Sequence, residues 1–236
     1  MGWWSTLRAR IAGSSAPLLN IAGDEGDGPV VVLVHGIASS AATFRNVVPL
    51  LSDRYRCISV ELLGFGESPA PEGATYTVEE HVAALSVTLR SLKLSAPFVL
   101  VGHSLGSLLC ARYAAQHPGQ VSRLVLVSPP VYIALSAIGD PRVKAQIGAY
   151  LKAYEFLRNN KDLTMATATT LSRLFRLGSA LELTERNWDA FILSLKNCIE
   201  SQTTVADIAA VQVPIDVVYG AQDQFIAPGT MRIVEQ

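Results

Sequence analysis

The chain has no run of apolar residues long enough to cross a membrane, although half of its 236 residues are hydrophobic. It has no surplus charge of either sign: Lys and Arg number 19, Asp and Glu number 20, and the net charge is −1. So balanced a surface gives no electrostatic argument for nucleic acid as a partner. Cysteines are few, at Cys57, Cys110 and Cys198, with no C-x-x-C pair. An odd, widely spaced set argues against both a disulfide framework and a zinc site, so we expect three buried thiols in a reducing compartment. There is no internal repeat, no low-complexity tract and no apolar core of signal-peptide length near the N-terminus. Gly2 and Thr6 fit the N-myristoylation pattern, but two bulky tryptophans directly after Gly2 speak against it. Trp3, Trp4, Leu7 and Ile11, with Arg8 and Arg10, suit a short interfacial helix. A helix packed on the protein's own surface is the simpler expectation, and we expect a cytoplasmic protein.

What is present is a rhythm of short apolar runs alternating with helix-like segments. That rhythm predicts an α/β fold, a mostly parallel sheet flanked by helices. The clearest strand runs are Val30–Val34, Arg56–Val60, Phe98–Val101, Leu124–Val127 and Ile215–Tyr219, with Leu18–Ala22 weaker. They are rich in Val, Leu and Ile, as strands buried on both faces must be. A turn-rich stretch, Gly23–Pro29, follows the weak strand. Thr77 and Glu80 form a capping box, and Val78, Val82, Leu85, Leu89 and Leu92 then mark one helix face. Thr43–Leu51 and Leu105–His117 are further helices, the latter stopped by Pro118 and Gly119. After Pro130 the rhythm breaks, and from Asp140 to about Ser201 the chain reads as successive helices, including Leu163–Leu177 and Thr184–Ile199. We expect residues 1–130 to form the first part of the core. Residues 131–201 should be a helical lid insertion, and 202–236 the last part of the core.

The strongest chemical signal is Gly102-His103-Ser104-Leu105-Gly106, set between a buried strand and a helix. In that context the pentapeptide reads as a nucleophile elbow, a sharp turn that lifts a serine hydroxyl above the sheet edge. The turn crowds the backbone, so Gly102 and Gly106 must be small. The helix N-terminus places partial positive charge beside a developing oxyanion. An ordinary strand-to-helix turn that happens to hold a serine is the alternative. His35-Gly36-Ile37 follows directly on the strand Val30–Val34. In an elbow enzyme one oxyanion donor is the N–H after the nucleophile, here Leu105, and the other comes from the loop after an earlier strand. Ile37 stands where that second donor belongs, and Gly36 lets the backbone approach.

Together these residues resemble the α/β-hydrolase family, in its lid-bearing, esterase-like branch. Glu61-Leu62-Leu63-Gly64-Phe65-Gly66-Glu67-Ser68 resembles a Gly-rich loop of that family, with Glu61 where Asp is usual. Val213–Asp223 resembles its late strand and acid loop, and the resemblance implies that Asp223 is the triad acid. Read alone, Asp223 is a polar residue in a turn after a strand. The resemblance also implies a small ester-like substrate and neither metal nor organic cofactor. Lactonase, C–C hydrolase and perhydrolase chemistry use the same triad and stay open, as does a non-catalytic binding protein of the same fold.

The order of the triad in this fold is serine, acid, histidine, and no histidine follows Asp223. A helix, a strand and two connections would need roughly 20–25 residues more. We therefore expect a C-terminally truncated sequence, with an uncovered sheet edge and little activity of its own. Among the four histidines, His103 leaves the elbow in another direction, His117 is a helix length from Ser104, and His81 sits on a flanking helix. His35 lies closest to the oxyanion loop, and a hydrogen-bonded structural role is expected for it.

Overall fold

The computed structural model describes residues 16–130, 141–174, 182–201, 203–220 and 223. Its centre is a six-stranded sheet of β1 (Ile21–Glu25), β2 (Val30–Val34), β3 (Arg56–Val60), β4 (Phe98–His103), β5 (Val121–Val127) and β6 (Ile215–Val218). The strand order is β1-β3-β2-β4-β5-β6. Only β1 runs antiparallel to its neighbour; every other pairing is parallel.

The helices are α1 (Val48–Leu51), α2 (Val78–Ser91), α3 (Leu105–Gln116), α4 (Pro141–Asn159), α5 (Lys161–Leu174), α6 (Trp188–Ser194) and α7 (Thr204–Ala210). Alternate residues of each central strand face opposite sides, so each strand feeds two cores. Val32, Val34, Ile58, Val60, Leu100, Leu124 and Leu126 join one core with the apolar faces of α2 and α3. Val31, Leu33 and Cys57 join the other, with Phe44 and Val48. Burying each such Leu or Val side chain contributes about 2 kcal/mol.

Several boundaries differ from the sequence reading. The first strand is displaced from Leu18–Ala22 to Ile21–Glu25, because its partner is β3 and the register places Ile21 opposite Val60. Thr43–Leu51 is no single helix but a 3₁₀ turn, Ala41–Phe44, followed by the short α1. Pro49 explains the break, since it has no N–H to donate four residues back and its ring crowds that carbonyl. Thr77 caps α2 as expected, accepting the Glu80 N–H at 3.2 Å. Glu80, however, does not return the bond to Thr77; its carboxylate accepts the N–H groups of Thr75 and Tyr76 instead, at 2.8 and 2.7 Å. Thr184–Ile199 divides into a turn leading into α6, α6 itself, and a π-helical turn over Leu195–Glu200. The N-terminal tryptophan segment and the end of Leu163–Leu177 lie outside the described residues.

Between 141 and 201 every regular element among the described residues is helical. Trp188, Phe191, Leu195, Cys198 and Ile199 are buried in the main core. Arg158 on α4 reaches Glu200 at 2.5 Å, and His81 on α2 meets Ser194 at 2.9 Å. The chain then returns through α7, which Arg112 of α3 grips through Asp207 at 2.5 Å.

Candidate active site at the strand-to-helix elbow

Ser104 sits between the end of β4 and the first turn of α3, with φ 51 and ψ −120. Positive φ is costly for any residue with a Cβ, about 1–3 kcal/mol, and survives only where the surroundings fix it. Here they do. The Ser104 N–H donates to Val127 O at 2.9 Å, and Ser107 N–H donates to Ser104 O at 2.9 Å. The glycines make the turn sterically feasible. A Cβ on Gly102 would stand 2.4 Å from Gly106 O, and one on Gly106 would stand 2.4 Å from Val34 O. The buried Ser107 hydroxyl donates to Gly102 O at 2.7 Å, bracing the elbow from inside. Sequence reading overlooked Ser107; a lone hydroxyl on an otherwise apolar helix face, obliged to find a local carbonyl, was the available signal.

The loop after β2 lies against this turn. A Cβ on Gly36 would fall 2.9 Å from Ser104 Cβ, so only glycine permits the approach. His35 is wholly buried; its Nε2 accepts the Leu62 N–H at 3.0 Å. That leaves Nδ1 as the protonated nitrogen, donating to Gly36 O at 2.7 Å. Burial pushes the His35 pKa down to about 4, so the ring is neutral near neutrality. The consequence reaches Ile37. A trans peptide is planar, with its C=O and N–H opposed. Fixing Gly36 O on the His35 ring therefore turns the Ile37 N–H away from that ring. Among the described residues neither the Ile37 N–H nor the Leu105 N–H meets an acceptor.

The structure thus brings together Ser104, Gly102, Gly106, Leu105, His35, Gly36 and Ile37. His103 is near as well: its Nδ1 is buried without a partner among the described residues and would lie 3.2 Å from a Cβ on Gly36. Burial lowers the His103 pKa, and the negative charge of Asp223 opposes that shift. Asp223 itself follows β6, its N–H donating to Gly220 O at 3.0 Å. His81 and His117 are engaged elsewhere, bonded to Ser194 and Ser86.

Glu61 is the other buried group near this edge. Its carboxylate accepts the Glu67 N–H at 2.7 Å and the Asn20 side-chain amide at 2.9 Å. The loop Glu61–Ser68 therefore winds around its own first residue. The longer Glu side chain fills the space that Gly66 leaves, since a Cβ there would overlap it. Arg186, from the limb leading into α6, donates to Gly66 O and to Ser68 O.

Residues 29–236 match the sequence model of the alpha/beta hydrolase fold. The chain belongs to the α/β-hydrolase family. Within that family it is 39% identical over 107 residues to the probable lysophospholipase BODYGUARD 2 of Arabidopsis thaliana. That match covers 43% of this chain and 23% of the relative. It is 36% identical over 118 residues to the cis-3-alkyl-4-alkyloxetan-2-one decarboxylase of Xanthomonas campestris pv. campestris, covering 46% of this chain and 39% of that one. The matched regions thus span well under two thirds of either relative. The esterase EaEST of Exiguobacterium antarcticum superposes with a TM-score of 0.74. The superposition spans 93% of this chain and 86% of the esterase at 18% identity, a likeness of fold alone. Among the described residues no helix is long and apolar enough to cross a membrane.

Proposed function

We propose that the protein hydrolyses a carboxylic ester, or a closely related small acyl compound, through an acyl-enzyme on Ser104. The observation that carries this reading is the strained backbone of Ser104 at the head of α3. A positive φ on a serine, held by buried hydrogen bonds and flanked by two obligatory glycines, is hard to explain without a use for the hydroxyl it presents. Ser104 Oγ attacks the carbonyl carbon, its proton passes to the leaving ester oxygen, and a water molecule then cleaves the acyl–Oγ bond, releasing the acid and returning a proton to Ser104. The N–H groups of Ile37 and Leu105 hold the oxyanion between those events. Asp223 orients the imidazole that moves the proton. That imidazole is not His35, whose two nitrogens are committed to backbone. Helices of the insertion wall the site and restrict the entry of bulk solvent.

The names of the relatives support acyl chemistry on lipid-like substrates without choosing among them. A second reading, a lactone as the acyl donor, draws on the likeness to an alkyloxetan-2-one decarboxylase. Both readings share Ser104, so one experiment addresses both. The protein is treated with a fluorophosphonate probe and assayed on a panel of p-nitrophenyl esters and small lactones, beside a folded Ser104→Ala variant. The probe should label Ser104 alone, and the variant should lose labelling and turnover together. Labelling that persists in Ser104→Ala would sink the acyl-enzyme. A folded protein that neither labels nor hydrolyses any member of the panel would favour a binding protein.

A further inference from the structure

The loop that carries Ile37 is held from two sides. On the sheet side the His35 ring fixes the Gly36–Ile37 peptide. On the other side stands the limb by which the insertion returns to the core. The backbone N–H of Glu182 donates to Ala38 O at 2.7 Å. The Ser40 hydroxyl donates to the Glu182 carboxylate at 3.0 Å, across 142 residues of sequence. Ala38 is wholly buried and has φ 49, a conformation that a residue with a Cβ keeps only where its neighbours impose it. Ser40 is buried too and caps the 3₁₀ turn that follows, accepting the Ala42 N–H at 3.3 Å.

The limb is itself firmly built. The buried Asn187 donates to Glu182 O at 2.6 Å and accepts the Thr184 N–H at 2.7 Å, closing residues 182–187 into a rigid turn. Arg186 pins the same turn to the loop around Glu61. The Ala41 N–H points at Glu61 Oε1, 3.5 Å away, so the far end of the Ile37 loop meets the same network.

We propose that Glu182 is a positioning residue for acyl transfer. Its N–H on Ala38 and its carboxylate on Ser40 hold the loop so that the Ile37 N–H stays aimed at the substrate carbonyl oxygen. The inference rests on reading Ile37 as an oxyanion donor. It adds that the donor's aim depends on the insertion being docked: an insertion lifted from the core releases Ala38, and the loop loses its second support.

Two measurements test this. The first is steady-state ester hydrolysis by the intact protein. Glu182→Pro removes the N–H, and kcat of the folded variant should fall about tenfold or more. An oxyanion donor is worth roughly a hundredfold or more, and a displacement of about an ångström forfeits much of it. KM should change less than about twofold, because the donor acts on the transition state rather than on the bound ester. Glu182→Gln keeps both the N–H and an acceptor for Ser40, and should stay within about threefold of the parent in kcat. The second measurement needs no turnover. Amide hydrogen exchange across Ile37–Ser40 should quicken about tenfold in a Ser40→Ala, Glu182→Ala double variant, and serves as well if Glu182→Pro does not fold. Parental kcat in folded Glu182→Pro, or unchanged exchange across Ile37–Ser40 in the double variant, overturns the proposal. A Ser104→Ala variant as active as its parent overturns the acyl-enzyme reading instead, and exchange still judges the clamp.

Discussion

At the scale of single residues the candidate site is held together by groups that stand behind the elbow. His35 illustrates the point. The sequence places it at the head of the loop after β2, where a hydrogen-bonded structural role is expected. The tertiary contact with Leu62 shows how that role works, because it selects the tautomer that anchors Gly36. A neutral buried histidine also links stability to pH. The His35 pKa is about 4 when folded, and that of the wholly buried His81 about 3, both lowered first by burial. An unfolded histidine titrates near 6.5, so below that pH the unfolded chain binds the extra protons and gains relative to the folded one. Stability should therefore be full above about pH 6.5 and fall as pH drops towards 4. The expected loss is about 2 kcal/mol per histidine between pH 7 and pH 5. Urea denaturation across that range measures it, and a midpoint that stays flat down to pH 5 would contradict the buried neutral rings.

At the scale of elements the elbow depends on two close backbone approaches, and they make a sharp prediction. A Cβ on Gly106 would press on Val34 O and His35 O at 2.4 and 2.5 Å, both rigid backbone atoms. Gly106→Ala should cost about 1–3 kcal/mol of stability as overpacking, and it should slow labelling of Ser104. Gly119 has open space around it, so Gly119→Ala should leave both unchanged. Equal denaturation midpoints for the two variants would mean the elbow is looser than described. Elements were legible where one local rule dominated. β2, β3 and β4 read clearly because strands buried on both faces are apolar at every position. The α2 start was legible from Thr77, although Glu80 spends its carboxylate one and two residues further back than the capping rule places it. α1 was misread because the apolar residues on either side of Pro49 keep a helical spacing while the proline interrupts the hydrogen bonds.

At the scale of the whole molecule the proposed nucleophile Ser104 and the proposed donors Leu105 and Ile37 come from two stretches that the fold brings together, and the proposed acid Asp223 comes from a third, after β6. None of the described histidines completes them: His35, His81 and His117 are engaged elsewhere and His103 leads into the elbow.

By itself the sequence determined the layered α/β class, the parallel strands, the helix that follows Ser104 and the glycines around it. Each follows from a rule that acts within a few residues: alternation of faces, capping, and the steric demand of a tight turn. It also determined which serine the turn presents. Only the tertiary structure decided the rest. The bond from Glu182 to Ala38, the ring of His35 on Leu62, and the burial of Trp188 and Phe191 in the main core join residues far apart in the chain. Such pairings depend on how the sheet is ordered and where the insertion lands. No local spacing encodes them, because the free energy that selects them comes from burying surfaces and backbone donors that meet only once the chain is folded.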